Sequence, residues 1–511
     1  MKKVVSGEEL QEKLSEAINL LCDTVKVTLG PKGSNIIIDH STFSPFITND
    51  GVTIAENIES EDPVINTILE LAKEASIKTN ENVGDGTTTT LVLLQSIFNN
   101  GLKLINNGIN PIILKKELDN KLPEIIKKIQ NKSRLARDEE VLNLVSISGN
   151  DKKIGKIISD AYFKLKSTDG IKISEGKLTE TIVEYLKGYT FDTSLASPYY
   201  FLDKLEITLN DAKMLLIENC LNDIEDIEII IKNIIEENRD LVIIAKDYGD
   251  DLVNEIIAIN LEIKPKIYLI ESSLYGNREK YFYDDLKDIT NSNIVKDTNN
   301  INLNDLGNIL NMKINKEYSN IDFKENDIIK EKIKNILKNI EEDIEFNNKR
   351  ISMLKSGIIN ILVGASTATE RREKKMRYDD ALCALKTIKD GVLPGSGIVL
   401  YEISEKLDNS IGNTILKEAL KEPFYTIMNN SGIAKEEIIK NIKNSNYTKI
   451  YNVNKNKYED IVNSEVIDSS NVVINSLTNA ISIAGMLLTT SSLIINEYQN
   501  NLNKENIYNE M

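Results

Sequence analysis

At 511 residues the chain is longer than one core organises, and about 150 residues per domain gives two to four domains. It is 41% hydrophobic and 28% charged, an ordinary globular composition, and its net charge of −17 argues against a nucleic-acid binder, which needs a basic face. Cys22, Cys220 and Cys383 lie far apart, with neither a disulfide framework nor a zinc spacing, so a reducing compartment is expected. His40, the one histidine, follows an Ile-Ile-Ile-Asp run and reads as a solvated turn residue. Met1-Lys2-Lys3 leads almost at once into a helical pattern, without an apolar signal core, so a cytoplasmic location is expected.

In chain order, Leu10, Leu14, Ile18, Leu21 and Val25 recur at helical spacing and predict a first amphipathic helix. It stops at Thr28-Leu29-Gly30-Pro31-Lys32-Gly33, where glycine and proline punctuate. A short strand, Ile36–Ile38, and a turn at Thr48-Asn49-Asp50-Gly51 follow. A helix from about Val64 to Thr79 carries Val64, Ile68, Leu71 and Ala75 on one face. Then comes Gly84–Thr90, Gly-Asp-Gly-Thr-Thr-Thr-Thr, at the threshold of an apolar helix with Leu91, Leu94, Ile97 and Phe98. Glycines let a backbone approach an anion, and the free amides of a helix start point at it. Asp85 is a hard oxygen ligand of the kind magnesium takes. Taken alone, the motif reads more readily as a Gly-Asp-Gly turn with threonines as helix caps. Pro111 opens a further helix to about Asn131, so the first 130 residues are mainly helical.

From about Met214 the texture changes. Short β-rich runs (Met214–Ile217, Leu241–Ala245, Ile267–Ile270) alternate with amphipathic helices such as Ile227–Ile235, an α/β pattern that suggests a separate domain. Ile329, Ile333, Ile336, Ile340 and Ile344 mark a long amphipathic stretch, and Ile358–Val363 is strand-like. A charged segment, Glu370–Arg377, precedes Asp379-Asp380-Ala381-Leu382. Read alone, Asp380 is a helix N-terminal carboxylate worth ~0.3–1 kcal/mol against the macrodipole. Val472–Leu488 is interrupted by Asn475, Ser476, Thr478 and Asn479 and reads as a buried helix rather than a membrane span. The Asn-rich pieces Asn299–Asn304 and Asn441–Asn456 read as polar loops. No Gly-x-x-x-x-Gly-Lys-Ser/Thr loop is present, which disfavours a P-loop ATPase.

Seven blocks, Thr28–Gly33, Asn49-Asp50-Gly51, Gly84–Thr89, Ser197-Pro198-Tyr199, Val363-Gly364-Ala365, Asp380-Ala381-Leu382 and Pro394-Gly395-Ser396-Gly397, stand in an order and spacing that resembles the group I chaperonins, the GroEL family. The resemblance runs from about Glu8 to about Asn496. It implies a mainly α subunit with α/β parts in three domains. A helical equatorial domain would come from both chain ends (1–130 and 391–511), an intermediate hinge domain from 131–187 and 359–390, and an inserted α/β apical domain from 188–358. It further implies a homo-oligomer of two stacked seven-membered rings, a GroES-type co-chaperonin and non-native client proteins, with no nucleic-acid or membrane partner. ATP, Mg²⁺ and K⁺ are the implied cofactors, and ATP hydrolysis would drive client binding and release.

Residue by residue, the resemblance has Thr28, Leu29, Gly30 and Pro31 close around phosphates and ribose. Asp85 would hold the magnesium, and Gly86, Thr87, Thr88 and Thr89 would contact the phosphates. Asp50 would sit beside the γ-phosphate, and Asp380 would swing in on closure to orient the attacking water. Gly395, Ser396 and Gly397 would let the backbone pass the nucleotide. Ile147, in the loop Ile147-Ser148-Gly149-Asn150, would line the base, and Tyr451-Asn452 and Asp468 would fit the base and ribose. That division suits phosphoryl transfer, which needs positioning and charge neutralisation more than covalent chemistry. Clients would be held by Leu195, Tyr199, Tyr200, Ile231, Val253, Ile257 and Ala258, since non-directional apolar contact accepts many sequences. For the two helices among these, a core stripe and a binding stripe read alike.

The chain departs from the family at Asn49 (usually lysine), at Ser396 (within a glycine triplet) and at Glu228 (where an apolar residue is expected). Thr193 and Ala368 replace an intersubunit ion pair, and Asn500–Met511 lacks Gly-Gly-Met repeats. Three other readings compete: a group II chaperonin, a chaperonin-derived holdase or scaffold with weakened ATPase coupling, and an unrelated small-molecule kinase. Group II is disfavoured because the region from about Gly188 to Gly357 looks too short for a built-in lid. No acceptor-site pattern supports the kinase.

Overall fold

The helix Ser470–Leu488 is the axis of the larger of two units in the computed structural model, which describes residues 2–39, 45–201, 206–272, 274–324, 326–340, 343–355 and 357–496. His40 and the Asn500–Met511 tail lie outside the described residues. The first unit is formed by the described residues of 1–160, 175–180 and 363–511, the second by those of 161–174 and 181–362.

In the first unit, Leu477, Ala480, Ile481, Ala484 and Leu487 of the axial helix are buried, and it packs on Pro63–Val83, Thr87–Asn106 and Pro111–Gln130. Gly101 permits the closest approach, because a Cβ there would stand 2.5 Å from Leu488 Cδ1. By length and composition this helix could cross a membrane, but it is the core helix that its polar interruptions predict. The first helix, Gly7–Lys26, buries all five predicted positions. Pro63–Val83 corrects one expectation, since Leu71 is 43% exposed. The buried stripe is centred on Ile65, Leu69, Ala72, Ser76 and Thr79, so the predicted line runs along its edge and Leu71 falls outside. Lys2–Ser6 pairs antiparallel with Ser492–Asn496, so both ends of the described chain share one ribbon.

Glu140 ties the helix Asp138–Ser148 to the preceding loop. Its carboxylate accepts from Arg134 Nη1 at 2.7 Å and from Arg137 Nη2 at 2.8 Å. Arg134 in turn exchanges backbone hydrogen bonds with Val392. The Arg134 guanidinium, with help from Arg137 and its N–H, draws the Glu140 carboxyl down to about 2. A carboxylate depressed in the folded state stabilises above its unfolded value and loses that contribution as pH falls through the folded one. Glu140→Gln is therefore expected to destabilise by about 1–2 kcal/mol at pH 7, discounted because both arginines are nearly half exposed. In urea unfolding at a series of pH values, the gap to wild type should shrink between about 4.5 and about 2.

The second unit is built on a sheet in the order Tyr189–Asp192, Tyr318–Asp322, Gly307–Asn315, Glu206–Ile217, Leu241–Ala245 and Ile267–Glu271. The last three strands are parallel and are linked through the helices Glu228–Glu237 and Asp250–Glu262, as the alternating pattern predicts. Alternate residues feed two cores. Met214, Leu216, Val242, Ile244 and Ile270 point to one face, and Leu215, Ile217, Ile243, Ile267 and Leu269 to the other. The long isoleucine stretch divides into two helices. Asp327–Lys338 buries Ile329, Ile333 and Ile336 and is capped by Asn339, while Ile344 opens Ile344–Lys355 with 57% exposure.

Candidate functional site

Two left-handed glycines shape the centre of the first unit. Gly84 (φ +68°) ends Pro63–Val83, and Gly86 (φ +84°) begins Thr87–Asn106. Between them Asp85 is presented at the junction of one helix end and one helix start. The amides of Thr87, Thr88 and Thr89 form the first helical turn, where intrahelical acceptors are lacking. Thr90, the fourth of the run, is a core residue instead, its buried hydroxyl bonded to Thr79 and the Gly86 carbonyl.

Separate chain segments converge on this junction. Gly51 brings the Thr48–Gly51 turn against the threonines, since a Cβ there would lie 2.4 Å from Thr88 Oγ1 and 2.8 Å from Thr87 Oγ1. Asp50 caps the helix Gly51–Glu56 by accepting from the Val52 and Thr53 amides at 3.4 and 2.8 Å. Thr28 Oγ1 stands 3.3 Å from Thr88 Oγ1. Its loop is folded tightly: Gly30 takes φ +90° against Ile427, and Gly33 closes onto the Thr28 carbonyl. Leu29 packs on the core, Pro31 is exposed, and Asn430 holds the loop by donating to the Lys26 and Leu29 carbonyls at 2.9 Å.

Asp380 lies well inside the helix Ala368–Lys386, which overturns the reading of it as a helix N-terminal carboxylate. One turn later on that helix, Cys383 packs on the loop, and a Cβ on Gly84 would come within 2.4 Å of its Sγ. Ser148 Oγ is 3.0 Å from both Asp85 Oδ2 and the Asp380 carbonyl oxygen. Asp468 sits in Ile467–Ser469, paired with Val392–Pro394, and its Oδ1 would be 3.1 Å from a Cβ on Gly395. Ser396 takes φ +58°, a left-handed backbone that costs a non-glycine residue about 1 kcal/mol, and Gly397 (φ +69°) starts Ile398–Glu405.

The carboxylates feel one another. Burial raises Asp85, and the Asp50 charge adds to the rise against the opposing Gly86 N–H and Ser148 hydroxyl. Burial holds Asp380 well above the usual carboxylate range, reinforced by Asp85, Asp50 and Asp379 and opposed by Arg377. Asp468 is pushed up to about 6 by burial and by Asp85, against the Gly397 N–H. Clustered negative charge with little solvent suits a cation. Among the described residues no three acidic, cysteine or histidine side chains form a metal cage.

Three predicted roles are modified. Ile147 is exposed, but it lies on the last turn of the helix Asp138–Ser148, not on a loop. Asn452 is buried and spends its carboxamide within its own hairpin, on Glu459 at 3.1 Å and the Lys455 amide at 3.1 Å. In the second unit Ile231 is core, because Glu228–Glu237 turns Ile230, Ile231 and Ile234 inward and leaves Ile229 and Ile235 outside. Tyr199 is 62% exposed. Leu195, Tyr200, Val253 and Ile257 are half-buried and Ala258 is exposed. Glu228 is exposed and pairs with Lys232, and Thr193 bonds Ser319 at 2.6 Å. Sequence reading placed Ser148 only within a block lining the base and missed Asn430, since a lone asparagine carries no periodic or spacing signal.

Gly84→Ala is expected to cost about 2–3 kcal/mol, from the left-handed φ and from displacing Cys383. Gly432→Ala, at φ +67° with open space around it, should cost about 1 kcal/mol. Thermal unfolding of both variants measures the difference.

A family model described as the TCP-1/cpn60 chaperonin family matches residues 21–497. Among solved structures, the chain resembles the chaperonin gp146 from the bacteriophage EL 2 (Pseudomonas aeruginosa), crystallised in the presence of ATP-BeFx. In crystal form I the TM-score is 0.71 at 20% identity, and 97% of this chain and 99% of that chain are covered. In crystal form II it is 0.64 at 19% identity with the same coverage.

Proposed function

Because the chain belongs to the TCP-1/cpn60 chaperonin family, we propose that it is a GroEL-type chaperonin that couples ATP hydrolysis to the folding of non-native proteins. The observation that carries this reading is the convergence of Asp50, Asp85 and Asp380, from three separate segments, on one glycine loop at a helix start. Magnesium would neutralise the triphosphate and polarise its γ-phosphoryl group. Asp85 would ligate it, and the Thr87–Thr89 amides and hydroxyls would hold the phosphates. Thr28–Pro31 and Gly395–Gly397 would close around the nucleotide, with Asp468 at the ribose. Asp380 would accept a hydrogen bond from the attacking water and aim it, and Asp50 would order the γ-phosphate side.

The same reading divides the chain into equatorial (1–130, 391–511), intermediate (131–187, 359–390) and apical (188–358) domains. It assembles subunits as two stacked seven-membered rings in the cytoplasm, with K⁺ and a GroES-type partner. Clients would meet the exposed Tyr199 and, on Glu228–Glu237, Ile229 and Ile235 rather than Ile231. The test is recovery of a chemically denatured enzyme with this protein, with and without Mg·ATP and a co-chaperonin. ATP-dependent recovery supports the proposal. Client capture with no ATP-dependent release selects the holdase reading instead, and negative-stain images showing monomers would remove the ring.

A further inference from the structure

Ser148 has one hydroxyl proton and two acceptors at equal distance. Its Oγ is 3.0 Å from a carboxylate oxygen of Asp85 and 3.0 Å from the main-chain carbonyl of Asp380. A carbonyl within a helix has a second lone pair beyond the one its helical partner uses, so this contact is made without breaking Ala368–Lys386. Ser148 itself ends Asp138–Ser148, and its neighbour Gly149 runs under the same helix, a Cβ there standing 3.1 Å from the Arg377 carbonyl and 3.2 Å from Ala381 Cβ. The helix that carries Asp380 therefore touches the Asp85 loop at two points, Cys383 on Gly84 and Ser148 between the two aspartates. The first contact is packing and sets a separation. The second is a directional hydrogen bond and sets where along and around the helix Asp380 stands.

We propose that Ser148 is a positioning residue: it seats the helix of Asp380 against the Asp85 loop, so that the Asp380 carboxylate faces the γ-phosphate side. The inference rests on the reading of Asp85 and Asp380 as parts of an ATPase site. Ser148 touches no reacting atom in this account. Its loss changes how often Asp380 is in line, leaving the groups that grip the nucleotide in place. A bond made to the helix backbone also places little demand on side-chain identity beyond the hydroxyl, so threonine serves in place of serine.

The test is single-turnover ATP hydrolysis and equilibrium ATP binding on wild type, Ser148→Ala, Ser148→Thr, Asp380→Ala and the Ser148→Ala/Asp380→Ala double variant, all as full-length assembled protein. Ser148→Ala is expected to slow hydrolysis about tenfold, the size of one buried hydrogen bond, with ATP affinity within about twofold of wild type. Ser148→Thr should return to within about threefold of wild type. The double variant should be no slower than Asp380→Ala, because Ser148 acts through that residue. If Asp380→Ala is slow but Ser148→Ala is not, the inference is overturned and the ATPase reading stands. A loss of affinity equal to the loss of rate, or additivity in the double variant, overturns it as well. If Asp380→Ala hydrolyses at the wild-type rate, the ATPase reading fails first and takes the inference with it.

Discussion

Asp380→Ala is expected to lower the rate of a single ATP turnover by about 10²-fold or more while nucleotide binding persists. Aiming the attacking water is a transition-state contribution, and removing a group that accepts its proton typically costs 10²–10⁴-fold. The same substitution should leave the fold intact or firmer. Asp380 lies inside a helix, where alanine is the better helix former, and it is held among the like charges of Asp85, Asp50 and Asp379. A melting temperature at or above wild type with hydrolysis lost would show a residue retained for chemistry at the expense of stability. A parallel fall in melting temperature and rate would instead make Asp380 a structural residue and remove the proposed mechanism.

The largest stability effect is expected in the second unit, at Asp285. This carboxylate is fully buried and takes a bidentate fork from Arg350, 2.8 Å at Nε and 2.8 Å at Nη2. The Tyr189 hydroxyl donates to it at 3.2 Å and Lys332 stands at 3.3 Å, while the Arg350 guanidinium lies over the Tyr281 ring. Asp285→Ala strands a buried guanidinium, and one-sided removal of this kind costs about 3–5 kcal/mol. Replacing both partners, Asp285→Leu with Arg350→Met, should recover most of that, because desolvation of the pair offsets much of its attraction. Lys172→Ala, at a pair with both side chains exposed, should stay within about 1 kcal/mol. Urea unfolding of the intact chain separates these outcomes. A single Asp285→Ala cost below about 1 kcal/mol would mean that water reaches the site on substitution.

What the sequence disclosed followed from the strength of each signal. Leu10 to Val25, or the unbroken Leu241–Ala245 strand, reveal themselves because burial imposes a period or a run that nothing else produces. The glycine loop was legible as two residue types, glycine and aspartate, whose chemistry narrows what they do. The misplacements have equally physical causes. Leu71 was put inside a stripe that excludes it because a shift of a quarter turn leaves the spacing unchanged, while Ile231 came from the family resemblance at a helix where a core stripe and a binding stripe read alike. The Ile329–Ile344 stretch continued in sequence where the helix did not, since Asn339 caps it. Asp380 was misread locally because only a fold brings it to Asp85, and Ser148 was read at the base rather than between two aspartates for the same reason. Pairing of Lys2–Ser6 with Ser492–Asn496 leaves no trace in either five-residue strand.

The first unit draws its core from chain regions far apart in sequence, and this bears on how the polypeptide emerges from the ribosome. The helix Thr87–Asn106, which carries Leu91, Leu94, Ile97 and Phe98, gains its packing against Ser470–Leu488 only once that late helix has been made. At 5–20 residues per second that interval is on the order of 20–80 s, during which this part of their cover is missing. The second unit's parallel strands are contiguous and can close earlier, during translation. The nascent subunit is thus itself a client in waiting, and its yield in cells should depend on whatever shelters its early helices until the late one arrives.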